Sequence, residues 1–350
     1  MKAAVYYTNS DIRIEDVEEP PVEPREIKVR IVACGVCGSD VMEWYRVKRA
    51  GRPGGIGAFG HECTGLIAEV GSKVDPKWKV GDRVVVTHHV ACNTCNACIR
   101  GHTTACDTLQ KTKFKNGFGA FAEYVVLPEI NVDRGILRLP ESVSFDAGTF
   151  VEPLGSVLRG QQWAPTSDGR SVFIIGAGLT GLLHSQVARL NGAGFIGISD
   201  VNPDRLKMAQ KFGADEIVLA TQDVPKKFKA LNGGFGADTV VMTAPIPICV
   251  QQALEAVGEG GTILFFAPTN PEIQSKINLW NLWQKEVTIT HSYGADFHNL
   301  ATALKWIRRN RVNVIDMITH VFPLKETVEG FLLTAQPRDD SLKVVIHPQE

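Results

Sequence analysis

The sequence predicts an α/β protein in two parts, a mostly antiparallel β domain and a doubly wound parallel sheet. Three observations predict it. The chain has 350 residues, long for a single hydrophobic core, so two domains are the natural division. Its first third alternates apolar and polar residues at strand period, broken by turns rich in Gly, Pro and Asp. From about residue 170, short apolar strands alternate with helix-compatible stretches, the pattern of a parallel sheet covered on both faces.

In the first part, Ile27, Val29 and Ile31 alternate with Lys28 and Arg30, the period of a half-buried strand. Leu66 to Val70, Arg83 to Val86 and Phe121 to Leu127 read as further short strands. In the second part, SVFII at 171–175 is an apolar strand, followed by a glycine turn and a helical run to about Asn191. FIGISD at 195–200 is the next strand. Asn202 then caps a helix, with Pro203 in its first position and Gly213 just past its end. EIVLA, DTVVMT and TILFFA continue as strands, and the tail holds a helix at LATALKWIRRN and a strand at KVVIH.

Composition narrows the function classes. With 37 Lys and Arg against 38 Asp and Glu, the net charge is -1, so no global field recruits nucleic acid or an anionic membrane. The first residues are too polar for a signal peptide, and no apolar run reaches membrane-spanning length. Four of the eight Cys fall within fifteen residues. Such clustering reads as metal binding in a reducing compartment, and the cytoplasm is the expected location.

That cluster is Cys92, Cys95, Cys98 and Cys106. Four close-set thiolates can close a tetrahedral shell around Zn²⁺, a structural site with no open position. An iron–sulfur motif would continue with a three-residue gap and a Pro, where this chain has seven residues and then Asp107. A second constellation is Cys37-Gly38-Ser39-Asp40, Gly60-His61-Glu62 and Glu152-Pro153. It offers one thiolate, one imidazole and two carboxylates, and a catalytic zinc needs three protein ligands with a fourth position free. Cys34 with Cys37 could instead be a redox pair, but the glycine-rich turn is not the start of a thioredoxin-like helix.

The glycine turn is Gly176-Ala-Gly178-Leu179-Thr180-Gly181, placed between a strand and a helix as a dinucleotide fingerprint requires. Backbone amides at that helix start favour a pyrophosphate. Asp200, nineteen residues after Gly181, can bind the ribose hydroxyls and would repel a 2'-phosphate, which favours NAD over NADP. Arg205 either reaches back to the adenosine or is a solvated cation of the next helix.

Together these residues resemble the zinc-containing medium-chain dehydrogenases, most closely the sorbitol (polyol) and threonine dehydrogenase branch. The resemblance covers the whole chain and is most specific at Gly60-His61-Glu62-x2-Gly65-x5-Gly71-x2-Val74. Gly119-Ala-Phe-Ala-Glu123-Tyr124, Ile318-Thr319-His320, Phe322-Pro323-Leu324 and Glu152-Pro153-Leu154 carry it further.

The resemblance implies a GroES-like catalytic domain over 1–155 and 296–350 with both zinc sites, enclosing a Rossmann NAD-binding domain over 156–295. It implies Cys37, His61 and Glu62 as ligands of a catalytic zinc, with Glu152 a ligand or a partner of the zinc water. Ser39 would start the proton relay and Asp40 would orient His61. A structural zinc at the four-cysteine loop makes two zinc ions per chain, beside NAD. The expected activity is hydride transfer between NAD and a secondary alcohol, a polyol, cyclitol or sugar derivative, in a homodimer or homotetramer. Charge counting adds that Glu62 and Glu152 should not both bind the metal tightly, since with Cys37 they would leave the site at net -1.

Alternatives remain open on substrate. Arg46, Lys48, Arg49 and Arg52 put four cations in seven residues; they are either a solvated loop or a device for an anionic substrate. L-threonine 3-dehydrogenase and sugar-acid dehydrogenase activities are the runners-up. Trp44 and Phe118 are candidates for the pocket wall. His88, His89, His184 and His291 show no partner in sequence. A non-enzymatic NAD-binding sensor would be free to lose Cys37, Ser39, His61, Glu62 and Glu152, all of which are present. A zinc-free quinone reductase would usually lack the four-cysteine loop.

Overall fold

The computed structural model describes residues 1–50, 59–115, 119–338 and 341–350, the side chains of 47–50 excepted. The chain divides into two units, Met1–Gly155 with Ala295–Glu350, and Ser156–Gly294.

In the first unit, a hairpin of β1 (Lys2–Thr8) and β2 (Asp11–Asp16) stands apart from a larger sheet. That sheet contains β3 (Ile27–Gly35), β4 (Glu62–Val70), β5 (Arg83–Val86), β6 (Tyr124–Leu127) and β7 (Ile136–Arg138). Its order is completed by two late strands, β14 (Ile318–Pro323) and β15 (Lys343–His347). Five strands of this unit, β3, β4, β5, β6 and β15, lie where the sequence reading puts strands, and β1, β2, β7 and β14 are added to them. Among the described residues the order is β14-β15-β3-β4-β5-β7, with β6 also on β3. Only the β14–β15 pair is parallel. Ile27, Val29 and Ile31, the apolar half of the alternating stretch, are all fully buried, in one core with Phe121, Phe331 and Ile346.

The second unit is a six-stranded sheet, every pair parallel. Its strands are β8 (Ser171–Ile175), β9 (Phe195–Asp200), β10 (Glu216–Leu219), β11 (Ala237–Met242), β12 (Val257–Phe265) and β13 (Thr288–His291). The order β10-β9-β8-β11-β12-β13 reverses direction at β8, the doubly wound arrangement. SVFII is buried at all five positions, as a strand covered on both faces requires. The helix Pro203–Lys211 begins where Asn202 Oδ1 accepts from the amides of Asp204 and Arg205, at 2.8 and 3.3 Å.

Two boundaries differ from the sequence reading, and further strands were not marked in it. The strand expected from Phe121 begins at Tyr124, because Phe121 O accepts from Ala4 N (2.8 Å) and Ala122 bridges Ala3. β12 begins at Val257, before TILFFA, since four of its first five residues are Gly or Glu and hide the strand period. The edge strand β13 and the strand β14 had no alternation to mark them. Among the described residues no helix is long and apolar enough to cross a membrane.

Candidate active site

The register of β3 on β4 assembles the site. Gly35, the last residue of β3, pairs with Glu62, the first of β4. The chain leaving β3 and the chain entering β4 therefore sit at one end of the sheet. Cys37 caps the 3-10 turn Gly38–Asp40 on one side, and Gly60-His61 precedes β4 on the other. One ligand atom each of Cys37, His61 and Glu62 lies within 4.8 Å of the others. His61 and Glu62 are buried and Cys37 is half-buried.

Electrostatics at this cluster favour a cation. Burial by itself would lower the pKa of His61, but a hydrogen bond with Cys37 and the charges of Cys37, Glu152 and Glu62 push it up to about 10. The surroundings of this buried imidazole therefore favour positive charge. Oε1 of Glu62 is buried without a hydrogen-bond partner, a costly state unless a cation meets it. A soft thiolate, an imidazole and a hard carboxylate make a donor set that fits zinc. Next to it is a narrow, part-open cleft lined by His61, Glu62, Thr87, Thr149, Glu152 and Phe297 among others. Glu152 stands in the first turn of the helix Val151–Trp163. Its carboxylate is outside the 4.8 Å group, so the structure brings together one glutamate, Glu62, with Cys37 and His61.

Glu62 Oε2 is taken by Lys343 in a short ion pair in which both side chains are fully buried. Sequence reasoning missed Lys343, which lies 281 positions away and carries no local signature. Only the β15–β3–β4 register brings it there.

Asp40 is completely buried, and its Oδ1 is 3.6 Å from His61 Nδ1, longer than a direct hydrogen bond. Its carboxylate accepts from Cys37 N (3.0 Å) and Gly60 N (3.4 Å), and from Arg46 in a short contact. Asp40 therefore braces both turns that carry Cys37 and His61. Arg46 is a correction to both readings of the basic segment: it is neither solvated nor offered to a substrate, but buried against Asp40. Lys48, Arg49, Arg52 and Phe118 lie outside the described side chains. Ser39 is half-buried in the 3-10 turn, and Trp44 packs edge-on to Tyr45. Cys34 is buried in β3, and burial with the nearby Cys63 and Glu62 raises its thiol pKa well above the ordinary value, against a redox pair with Cys37. His88 and His89 stack near His61, with ring centroids 3.6 Å apart and His88 5.2 Å from His61.

The four-cysteine loop also gathers its sulfurs within 4.8 Å of one another. Cys95–Cys98 and Cys92–Cys106 are each 3.6 Å apart. An ideal tetrahedron with Zn–S of about 2.3 Å has an edge of about 3.8 Å, so the cage has the right size. The amides of Thr94 and Cys95 approach Cys92 Sγ at 3.5 and 3.3 Å. With the Thr94 side chain foremost, these donors lower the Cys92 pKa to about 5, as a metal-binding thiolate needs.

In the second unit, Gly178 caps the helix Leu179–Asn191, so Leu179 and Thr180 form its open N-terminal turn. Gly181 sits so close to the carbonyl of Gly176 that a Cβ would overlap it. Asp200 Oδ2 accepts from Ala177 N at 2.6 Å and Oδ1 from Asn202 N at 2.8 Å. Arg205 lies over the turn, Nη1 being 3.8 Å from where a Gly178 Cβ would stand, and burial lowers its pKa against the pull of Asp200. It is not the solvated cation that was one of its two readings.

A GroES-like β unit and a Rossmann unit, carrying a zinc-type donor set and a dinucleotide turn, define a zinc- and nicotinamide-dependent oxidoreductase that acts on CH–OH groups. The matches to known proteins are more specific. Residues 23–140 match the alcohol dehydrogenase GroES-like domain and residues 180–309 the zinc-binding dehydrogenase domain. The chain is 32% identical to the sorbitol dehydrogenase of Bacillus subtilis, over 99% of this chain and 97% of that protein. Its fold is similar to 2R,3R-butanediol dehydrogenase from Bacillus subtilis, with a TM-score of 0.84 and 26% identity over 99% of both chains. It is also similar to a protein from Sinorhizobium meliloti 1021 bound to NADP, with a TM-score of 0.87 and 25% identity over 99% of both chains. The chain belongs to the zinc-containing medium-chain alcohol dehydrogenase family, in its polyol dehydrogenase branch.

Proposed function

We propose that the chain oxidises a secondary hydroxyl of a polyol or sugar derivative, with NAD as hydride acceptor and zinc held by Cys37, His61 and Glu62. The observation that carries this reading is the convergence of those three donors beside a cleft that Glu152 also lines. Thr87 and Thr149 add polar groups to that cleft and Phe297 an apolar wall, a lining suited to a small molecule bearing several hydroxyls. The polyol substrate of the Bacillus subtilis sorbitol dehydrogenase points the same way.

When bound, zinc would supply the Lewis acidity that makes an alcohol proton labile near neutral pH, and NAD would accept the hydride. The protein's own residues do the rest. Ser39, two positions after Cys37, receives the proton and passes it outward. Asp40 and Arg46 hold the turns that aim Cys37 and His61. Glu152 accepts a hydrogen bond from the substrate or from water in the cleft. Residues 1–155 and 296–350 form the catalytic domain with both zinc sites, the second at Cys92, Cys95, Cys98 and Cys106; residues 156–295 bind NAD at Gly176, Gly178, Leu179, Thr180, Gly181, Asp200 and Arg205. The Asp200 carboxylate favours NAD, since a 2'-phosphate would meet an anion there.

The protein works as a homo-oligomer in the cytoplasm. Support for the first is the exposed face around the edge strand β13; for the second, eight cysteines without a disulfide suit a compartment that keeps thiols reduced.

The test is NAD reduction by zinc-loaded protein across polyols, cyclitols, aldonic acids, threonine and simple alcohols, with and without a chelator. Chelator-sensitive NADH formation with a polyol or cyclitol is expected. Turnover that survives complete removal of zinc, or is confined to threonine or to acids, would overturn the assignment.

A further inference from the structure

The same face of the sheet explains how Glu62 meets Lys343. In the register, Val345 of β15 is opposite Gly35 of β3, and Gly35 is opposite Glu62 of β4. The amide of Val36 donates to Val344 O at 2.9 Å and carries that ladder on toward Cys37. Side chains two apart on a strand share a face, so Lys343 lies on the face of Val345, Gly35 and Glu62. The middle strand contributes no side chain at Gly35, and a Cβ there would overlap both Lys343 Nζ and Glu62 Oε2. Lys343 thus reaches Glu62 through a gap that only glycine leaves. Its ammonium also lies 5.5 Å from the centroid of the Phe150 ring, which helps a buried cation.

We propose that Lys343 is a positioning residue of the metal site: it holds Glu62 by Oε2, so that Oε1 alone is presented to the metal. The inference rests on the reading of Cys37, His61 and Glu62 as zinc ligands. It follows from two facts about one carboxylate, that Oε2 is occupied by a buried ammonium and that Oε1 is buried with no hydrogen-bond partner. A carboxylate pinned in this way is a one-oxygen ligand, which keeps the coordination number low and leaves room for a substrate oxygen. Lys343 also changes the charge count. Cys37, Glu62 and Glu152 bring three negative charges against the two positive charges of zinc, and the ammonium of Lys343 cancels the third. Counted with Lys343, a site with zinc and both glutamates comes to net zero rather than the net -1 reckoned without it.

The test reads metal geometry rather than turnover. Full-length protein is loaded with Co²⁺ at this site and zinc at the four-cysteine loop, and the Cys37→Ser protein serves as the blank. Wild type should give strong ligand-field bands of a four-coordinate ion; Lys343→Met, which frees Oε2, should lower their intensity by more than about twofold as the coordination number rises. Gly35→Ala, which wedges the pair apart without altering charge, should shift the bands in the same sense. Because Lys343→Met leaves a lone buried carboxylate, Glu62→Gln is also compared with the Glu62→Gln, Lys343→Met double variant, which leaves none. Identical spectra for that pair are expected if Lys343 acts through Glu62. A further change on adding Lys343→Met, or a Lys343→Met spectrum equal to wild type, overturns the proposal alone. A wild-type protein that takes no cobalt beyond the Cys37→Ser blank overturns the zinc-site reading and this inference with it.

Discussion

Asp200 and Arg46 show how much one charged side chain is asked to do. Asp200 accepts two backbone amides and, in the proposed function, also binds the ribose hydroxyls. Asp200→Ser should therefore move the NAD-to-NADP preference, measured as the ratio of kcat/KM values, by about tenfold or more toward NADP. An unchanged ratio would remove Asp200 from cofactor selection. Arg46 and Asp40 are a pair in which breaking one side strands the other. Arg46→Met should cost about 3–5 kcal/mol in urea unfolding, since the buried Asp40 carboxylate loses its guanidinium and keeps the two turn amides with His61 at 3.6 Å. A loss below about 1 kcal/mol, the range of exposed pairs, would show that the contact is not buried in solution.

At the scale of elements, periodicity and caps carried most of the fold. Ile27 to Ile31, SVFII and the Asn202-Pro203 helix start were legible because each has a local physical signature, an alternation, an apolar run or an N-cap. β13 and β14 were not, since half-exposed strands without alternation look like loop. The turns bearing Cys37 and His61 could be placed next to strands, yet their meeting depends on the β3–β4 register, and Lys343 on a third strand from the far end of the sequence. Arg46 was weighed only as a solvated or a substrate-binding cation, because Asp40, six residues before it, stands at no spacing that marks a pair in sequence.

His184 was passed over for the same reason. Gln161 Nε2 donates to His184 O at 2.8 Å and lies 3.2 Å from Nδ1, while Gln161 Oε1 accepts from Thr166 and Asn191. Burial holds the imidazole pKa at about 3. The folded state therefore binds fewer protons than the unfolded one once pH falls below about 6.5, the ordinary value. Stability from this group is complete above that pH and is lost on the way down toward 3. Between pH 7 and pH 5, wild type should lose about 2 kcal/mol more in urea unfolding than His184→Gln. Parallel loss in both proteins would mean the imidazole is not held neutral.

For the molecule as a whole, the second unit leaves a hydrophobic surface uncovered. Leu279, Trp280 and Trp283 are 74%, 62% and 71% exposed, on a helix with no buried residue, next to the edge strand β13. Open edges and exposed tryptophans mark surfaces that associate. If the proposed homo-oligomer forms through this face, wild type should sediment above the monomer mass at micromolar protein and Trp280→Glu with Trp283→Glu should sediment as a monomer. A monomeric wild type, or a mass unaltered by the substitutions, would overturn that role for the face.

β15 lies inside its sheet, between β14 and β3, so that sheet cannot close until residues 343–347 join strands made far earlier in the chain. The stretch from Ser156 to Gly294 is continuous and can fold while synthesis proceeds, domain by domain. The earlier half must wait with an unfilled groove along β3 until the sequence at 343–347 arrives. Lys343 comes with it, so if Cys37, His61 and Glu62 hold the zinc as proposed, closing the sheet and finishing the metal centre are one event.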